Sequence, residues 1–479
     1  MQNGNRFRWY PTTFQVRTLP RMIGSQRVIY NCKVEEDRYY RSYARKFSSN
    51  VHAPTDQEYS RFIGEETAWL KEVPSQILRN GATKWRQAYA RFFRGLGGRP
   101  KIRKRHGRQS VWLTRELFEF TPVRDEAGAI TGYDLHVGTV KFPFGKIDYR
   151  CHRAFDTLPN SIHLSVHAGQ YWLSFATDDG EPEYTEQEIA DWLAGHSRER
   201  LIEHSVGGDL GVAIPLAMSD GRAFGFAPVQ KKRMRKRVKA IRHQQKKMAR
   251  QVKGSRRREV TKRNIAVLYR KNGNIRYDFA HQTSHAITSD PRTLLIGFED
   301  IKVKNLTASA RGTLAEPGRN VAQKAGLNRS ILASAWGLTR VFSRYKARRL
   351  HKLVVLVPPR YSSQECRRCG HINQDNRPSQ AEFVCQDCGH AENADHNAAG
   401  IVQMRAVDLV ASGQWRAKEV KRTRITKTKV RQELPEPAAV GLVPTAPKRV
   451  GEPIRRRHQT MPAHGSVNRE DTPPTARRA

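Results

Sequence analysis

The chain has 479 residues, enough for two to four domains, and carries 86 Lys and Arg against 45 Asp and Glu, a formal net charge of +41. Folding needs no such excess, so the charge points to a polyanionic partner, with nucleic acid foremost. A membrane partner is disfavoured: there is no run of about eighteen apolar residues, and the opening MQNGNRFRWYPTTFQVR lacks a signal-like apolar core, so a cytoplasmic protein is expected.

In chain order, residues 1–20 open as an extended aromatic stretch, FRWYPTTFQV. RMIGSQRVIYNCKVEEDRYYRSYARKF predicts a helix with Met22, Ile23, Ile29, Tyr30 and Val34 as its apolar residues. EETAWLKEVPSQILRNGATKWRQAYARFFRG predicts a second, broken near Pro74, whose stripe is Ile77, Trp85, Ala88, Phe92 and Phe93. After a Gly- and Arg-rich loop, SVWLTRELFEFTPV, ITGYDLHVGTVKFPFGKIDYR and SIHLSVHAGQYWLSFATDD alternate polar and apolar residues between turns. That is the pattern of a small antiparallel barrel or sandwich.

The acidic DDGEPEYTEQEIADWLAGHSRER reads as a linker with a short helix, and SVGGDLGVAIPLAMSDGRAFGFA as a hairpin-like strand pair. Residues 229–263 read as one long basic helix interrupted at Gly254, with a seam of Met234, Val238, Ile241, Met248 and Val252. Its Lys231, Lys232, Arg235, Lys246, Lys247, Arg256 and Arg257 are candidate phosphate contacts. TLLIGFED and KLVVLVPP are short apolar runs of the kind that form strands buried on both faces. From residue 412 the chain is Pro-, Thr- and Arg-rich without periodicity, and a disordered basic tail is expected.

Of six cysteines, four fall in CRRCGHINQDNRPSQAEFVCQDCGH; Cys32 and Cys151 stand apart as ordinary small apolar residues. The spacing Cys366-x2-Cys369-x15-Cys385-x2-Cys388, with Gly370 and Gly389 after each pair, predicts two knuckles closing one structural zinc site with no open position. Three acids stand at element ends: Asp209 after VGG, Glu299 closing TLLIGFE, and Asp395 opening the helix DHNAAGIVQMRAVDLV. Alone, each is a turn former or a cap. Brought together in an α/β fold they would repel unless a cation lay between them, and hard oxygen donors suit two Mg²⁺ or Mn²⁺ ions acting on a phosphodiester.

In order, VGGDLGV, IGFEDIKVKNL, YSSQECRRCGH, FVCQDCGH and ADHNAAG resemble the RuvC-like motifs and zinc ribbon of the TnpB family, RNA-guided nucleases of bacterial insertion sequences related to compact type V CRISPR effectors. RWYPTTFQ, RMIGSQRVIYN, WLKEVPSQILRN and FFRG resemble the family's N-terminal part. The resemblance implies an α/β and β multidomain fold: a RuvC/RNase H-like nuclease domain with an inserted zinc ribbon, preceded by a β-barrel wedge domain holding a helical recognition lobe. On this chain the wedge covers residues 1–20 and 108–178, the lobe 21–107, a linker 179–204, the nuclease domain 205–359 and 393–411, the ribbon 360–392, and the tail 412–479.

It further implies Asp209, Glu299 and Asp395 as catalytic metal ligands, a guide RNA from the transposon end, and double- and single-stranded DNA as target. A monomer on one RNA, associated with a bacterial nucleoid, is expected. Arg377 is a candidate contact to the scissile strand, with a solvated loop arginine as the alternative. Asn397 is a candidate to orient water or phosphate, with a capping role as the alternative. Gln76 and Asn80, i and i+4 on one helix, are candidates to read a short DNA motif beside the target, with an ordinary surface pair as the alternative. A CRISPR-associated effector and a guided repressor that does not cut are the rival functions.

Overall fold

The computed structural model describes residues 2–417 apart from 49, 154, 156, 183 and 314, so beyond residue 417 the expected tail lies outside the described residues. The first half comprises β1 (Gln2–Trp9), α1 (Thr13–Lys46), α2 (Ser75–Phe93), β2 (Gln109–Thr114), β3 (Phe118–Arg124), β4 (Ile130–Gly138), β5 (Pro143–Ile147), β6 (Tyr149–Arg150), β7 (Ser161–His167) and β8 (Gln170–Asp178). Its strands form two antiparallel sheets, ordered β2-β7-β8-β1-β6 and β3-β4-β5. Alternation turns Phe7, Trp9, Val111, Leu113, Ile162, Leu164, Leu173 and Phe175 of the first sheet and Phe118, Phe120 and Leu135 of the second into one core. The barrel or sandwich expected from alternation is thus present.

That core runs on into Leu19, Met22 and Ile23 of α1 and Ile77, Leu78 and Ala82 of α2. Helix α1 begins earlier than expected. Thr12 and Gln15 form a reciprocal capping box, and the helix then passes through Pro20. In α2 the expected stripe holds at Ile77 and Trp85, while Phe93, in the last turn, is exposed. Cys32 is half-buried and Cys151 exposed, so only the first fits the expected packing role.

The second half comprises α3 (Glu186–Ala194), α4 (Arg198–Glu203), β9 (Ser205–Asp209), β10 (Leu216–Met218), β11 (Ala223–Phe224), α5 (Pro228–Ala249), α6 (Arg256–Thr288), β12 (Leu295–Glu299), α7 (Val303–Leu306), α8 (Val321–Ala333), α9 (Trp336–Arg349), β13 (Leu353–Val357), β14 (Glu382–Val384), β15 (Ala391–Asn393) and α10 (Ala394–Ala411). A sheet ordered β11-β10-β9-β12-β13 has β9, β12 and β13 parallel, with β10 and β11 antiparallel at its edge. Its apolar strands are covered on both faces. Leu295, Leu353, Val355 and Val357 pack with Val402, Ala406 and Val407, and Ile296, Phe298 and Val354 pack with Ile287, Trp336 and Ala347.

Two expectations change here. The stretch read as a linker is packed: Ile189 and Leu193 of α3 and Leu201 of α4 share the core of β13 and α10. The basic segment is an α5–α6 hairpin rather than one interrupted helix, turning at Gly254 (φ +86°) and continuing to Thr288. Of its supposed seam Ile241 is buried, whereas Val252 is 77% exposed in the turn.

A candidate metal and nucleic-acid site

Strands β9 and β12 run parallel with Phe298 opposite Gly208, so the next pair in register is Glu299 and Asp209. Both acids end their strands at the same sheet edge. Helix α10 brings Asp395 to that edge because the strands beneath it are small. A Cβ on Gly207 would lie 2.0 Å from the Ala399 carbonyl oxygen and 2.4 Å from the Gln403 nitrogen, and one on Gly297 would lie 2.9 Å from the Val402 oxygen. The glycines of VGGDLG and LIGFED therefore let a helix backbone rest directly on the sheet. Asn393 caps α10, its side-chain oxygen accepting from the Asp395 and His396 amides.

The Asp209 carboxyl feels the other two acids. Burial, then the charges of Glu299 and Asp395, push the Asp209 carboxyl up to about 7, with Arg377 opposing. Burial also pushes Glu299 up, opposed by a hydrogen bond from the Ser362 hydroxyl (2.6 Å) and by Arg405 and Arg340. Arg340 fixes this strand end, donating to the Glu299 and Ile301 carbonyl oxygens at 2.8 and 3.2 Å. Ser362, Arg340 and Arg405 were not foreseen; Ser362 lies in the YSSQECRRCGH motif, where the paired cysteines are the stronger signal.

The four cysteine sulfurs all lie within 4.8 Å of one another, and among the described residues no other set of three or more Cys, His, Asp or Glu side chains converges so closely. The three carboxylates are accordingly held farther apart than that. Cys366–Cys388 and Cys369–Cys385 are 3.7 and 3.5 Å apart. Thiolates about 2.3 Å from a tetrahedral zinc would be spaced by roughly 3.8 Å, so the cluster fits such an ion. The two knuckles match. Gly370 and Gly389 sit at φ +77° and +66°, their amides donate to the Cys366 and Cys385 carbonyls, and the Cys366 and Cys385 amides donate to His371 and His390 carbonyls.

The ribbon is tied to the acid edge in two places. Asn397 is fully buried, accepts from the Arg367 amide (3.0 Å) and donates to the Glu365 carbonyl (2.7 Å). Its amide is thus spent on either side of Cys366 and faces neither water nor phosphate. Arg377 is a half-buried partner of Asp395 (3.4 Å), also donating to the Gln380 carbonyl, and not a solvated loop residue.

The amide pair on α2 is not a shared polar face. Asn80 is 2% exposed, and its amide nitrogen donates to the Thr114 hydroxyl (3.1 Å) and the Trp112 carbonyl (3.4 Å) of β2. Gln76, one turn earlier on the same helix, is half-buried. Lys231, Lys232, Arg235, Lys246, Lys247, Arg256 and Arg257 are all exposed on the α5–α6 hairpin, well away in sequence from the acids yet part of the same half of the chain.

Fold and site define a strongly basic, mixed α/β protein with an acid cluster at the C-terminal edge of parallel strands and a four-cysteine ribbon packed beside it. Two family models match: one described as "Probable transposase" over residues 184–310, and one as "Cas12f1-like, TNB domain" over residues 336–401. The chain is 32% identical over 356 residues to the "Putative RNA-guided DNA endonuclease InsQ" of Escherichia coli K12, covering 73% of this chain and 80% of that one. It is 25% identical over 443 residues to a "Putative RNA-guided DNA endonuclease" of Streptomyces pristinaespiralis, covering 91% and 97%. Among solved structures, "Cryo-EM structure of the Cas12f1-sgRNA-target DNA complex" aligns with a TM-score of 0.49 and 11% identity over 84% of this chain and 98% of that one. The chain belongs to the TnpB family, to which its InsQ relative also belongs.

Proposed function

We propose that the protein is an RNA-guided DNA endonuclease. The observation that carries this is the convergence of Asp209, Glu299 and Asp395, from β9, β12 and α10, on one sheet edge, where burial and then the charges of Glu299 and Asp395 raise the Asp209 carboxyl to about 7, in a chain whose InsQ relative is named for that activity. In this reading the second half is a RuvC-like domain, residues 360–392 are its zinc ribbon, the two antiparallel sheets are the wedge, and α1 and α2 form the recognition lobe. Base pairing with the guide selects the target, and the protein reads only duplex shape and a short adjacent motif.

The four thiolates fit a zinc ion by type and spacing, and carboxylate oxygens are the donor type that Mg²⁺ or Mn²⁺ prefers. Divalent ions held there supply an activated water and charge stabilisation at the leaving oxygen of a phosphodiester. The chain's own residues prepare that edge. Ser362 holds the Glu299 carboxylate by its hydroxyl, and Arg340 pins the backbone beneath it. Arg377 offsets charge at Asp395. Asn397 fixes the ribbon to the helix that carries Asp395, so the ribbon and the acid move as one piece. A non-cutting guided repressor would have no use for three acids placed this way.

Sequencing the RNA that co-purifies with the protein tests guidance: one discrete species with a structured scaffold and a variable end is expected, and random cellular fragments would refute it. Asp209→Ala is expected to keep DNA binding and lose cutting.

A further inference from the structure

Between β13 and the first cysteine knuckle the chain reads PPRYSSQE, residues 358–365. Two prolines end the strand, and the backbone then turns at Tyr361, which sits at φ +61°. Its carbonyl accepts from the Gln364 and Glu365 amides at 2.9 and 3.0 Å. Left-handed backbone is costly for a bulky side chain, and a glycine would hold this turn without that strain. Neighbouring side chains leave the turn for different places. Ser362 is buried with its hydroxyl on the Glu299 carboxylate, whereas Tyr361 is 43% exposed and adds little to packing. The Arg360 guanidinium carbon lies 4.7 Å from the tyrosine ring centroid, and its Nη2 donates to the tyrosine hydroxyl at 3.0 Å.

Tyr361 lines a groove of about 650 Å³ together with Pro358, Arg360, Arg405 and Leu409 of α10, and Gln414 beyond its end. The groove begins at the acid edge, because Val357 stands opposite Glu299 in register and Pro358 follows it. Arg405 fastens the turn to α10, donating to the Pro358 carbonyl at 2.7 Å and pairing with Glu365. The acid in the groove wall, Asp408, is paired with Arg198 at 2.9 Å. Arg360 has no carboxylate partner among the described residues, so its charge is available to a ligand.

We propose that this groove holds a nucleotide flanking the scissile phosphate of the DNA strand being cut, its base against Tyr361 and a phosphate on Arg360. It thereby fixes which phosphodiester meets the acids. The inference rests on the endonuclease reading above and adds the cut position to it. A strained, exposed ring beside a metal-binding carboxylate has its use outside the fold. The polymer that must cross the acid edge is the strand being cut, and its base faces are free for stacking once it is unpaired. A protein partner seated here would obstruct that edge. Because Tyr361 and Ser362 are consecutive, a base on the ring is held at a set reach from the Glu299 carboxylate. The exposed arginine over the ring supplies the charge for the adjoining phosphate. Tyr361 is in this account a positioning residue.

The test uses the full-length protein with its co-purified RNA and a matched DNA labelled at the end of each strand, so that cut positions and kcat/KM are read together. Tyr361→Gly suits the left-handed backbone and is expected to keep the melting temperature and RNA binding. It is expected to lower kcat/KM roughly 5- to 150-fold, the worth of one base stack, and to spread the cut over neighbouring phosphates. Tyr361→Phe is expected to restore both rate and position. Arg360→Gln is expected to lower the salt slope of DNA affinity by about 0.7. Single abasic sites walked along each strand should reproduce the glycine defect at one position in wild-type protein and add nothing to it in Tyr361→Gly. The walk on wild-type protein needs no variant, so it decides the matter even where the glycine form does not fold. Unchanged rate and cut positions in Tyr361→Gly, or no abasic position with this effect, would overturn the groove while leaving guidance intact. RNA binding lost at an unchanged melting temperature would assign the groove to the guide and overturn the DNA assignment. A wild-type complex that does not cut matched DNA would overturn the proposed activity, and this inference with it.

Discussion

Gly207→Ala is the sharpest perturbation of the acid edge that leaves every acid in place. The new methyl would sit 2.0 Å from the Ala399 oxygen, 2.4 Å from the Gln403 nitrogen and 2.9 Å from its Cα, all backbone of α10. Ordinary carbon–oxygen contacts begin at about 3.3 Å, so helix and strand must part by about 1.3 Å. No side-chain rotation can relieve this. Asp395 lies one turn before Ala399 on the same helix and moves with it. Overpacking of this kind destabilises by about 1–3 kcal/mol. A displacement of about 1 Å at a reacting centre can lower the rate by about 10²-fold. The assay is guided cleavage of a matched DNA by the purified RNA complex, with RNA binding and the melting temperature measured in parallel. The expected result is intact RNA binding, a lowered melting temperature and cleavage reduced by about two orders of magnitude. Gly273→Ala in α6, where no atom lies within 4 Å of the new methyl, is the control and is expected to be neutral or stabilising by up to about 1 kcal/mol. Gly207→Ala cutting at the wild-type rate with an unchanged melting temperature would refute the placement of α10 on β9 as the means of delivering Asp395.

Three further outcomes are expected. A carboxyl raised to about 7 binds its proton more tightly in the folded than in the unfolded state, so without metal its contribution falls as pH rises from about 4 to 7, by at most about 4 kcal/mol. Metal-free Asp209→Asn should therefore melt higher than wild type at pH 8 and alike near pH 4, and Mg²⁺ should raise only the wild type; equal melting at both pH values would contradict this. Asn397→Ala removes two buried hydrogen bonds beside Cys366 and should speed zinc release to a chelator, with about 10- to 100-fold weaker zinc binding. Asn80→Ala should lower stability by about 1–3 kcal/mol and leave the DNA motif preference of cleavage unchanged, a shift in preference being the contrary result.

The acids and cysteines were legible because their signals are local: an acid ending an apolar run, and two Cys-x-x-Cys pairs each followed by a glycine. The two antiparallel sheets were legible from alternation, and the parallel strands from runs such as KLVVLVPP. Asn80 and Asn397 were not, since an amide on a helix reads the same whether it faces solvent or a neighbouring backbone. What decides it is β2 for Asn80 and the first knuckle for Asn397, each in direct contact in the fold but 32 and 30 residues away in sequence. The helical seam in the basic segment failed for a related reason: periodicity fixes a face but not the partner, and the turn at Gly254 sends the chain back on itself. The start of α1 was available in TTFQ, whose Thr12 and Gln15 form the capping box, although the aromatic run that contains it reads as extended. In the sequence Gly207 and Gly297 are indistinguishable from ordinary strand residues; that a helix backbone needs their missing side chains is visible only once α10 is in place.

The most direct test of the three-acid site is anomalous scattering at the manganese edge from crystals of the RNA complex soaked in Mn²⁺. Peaks among the Asp209, Glu299 and Asp395 carboxylates, absent in Asp209→Ala, are the predicted result. Manganese bound elsewhere, with those carboxylates bare in a complex that still cuts DNA, would contradict the account.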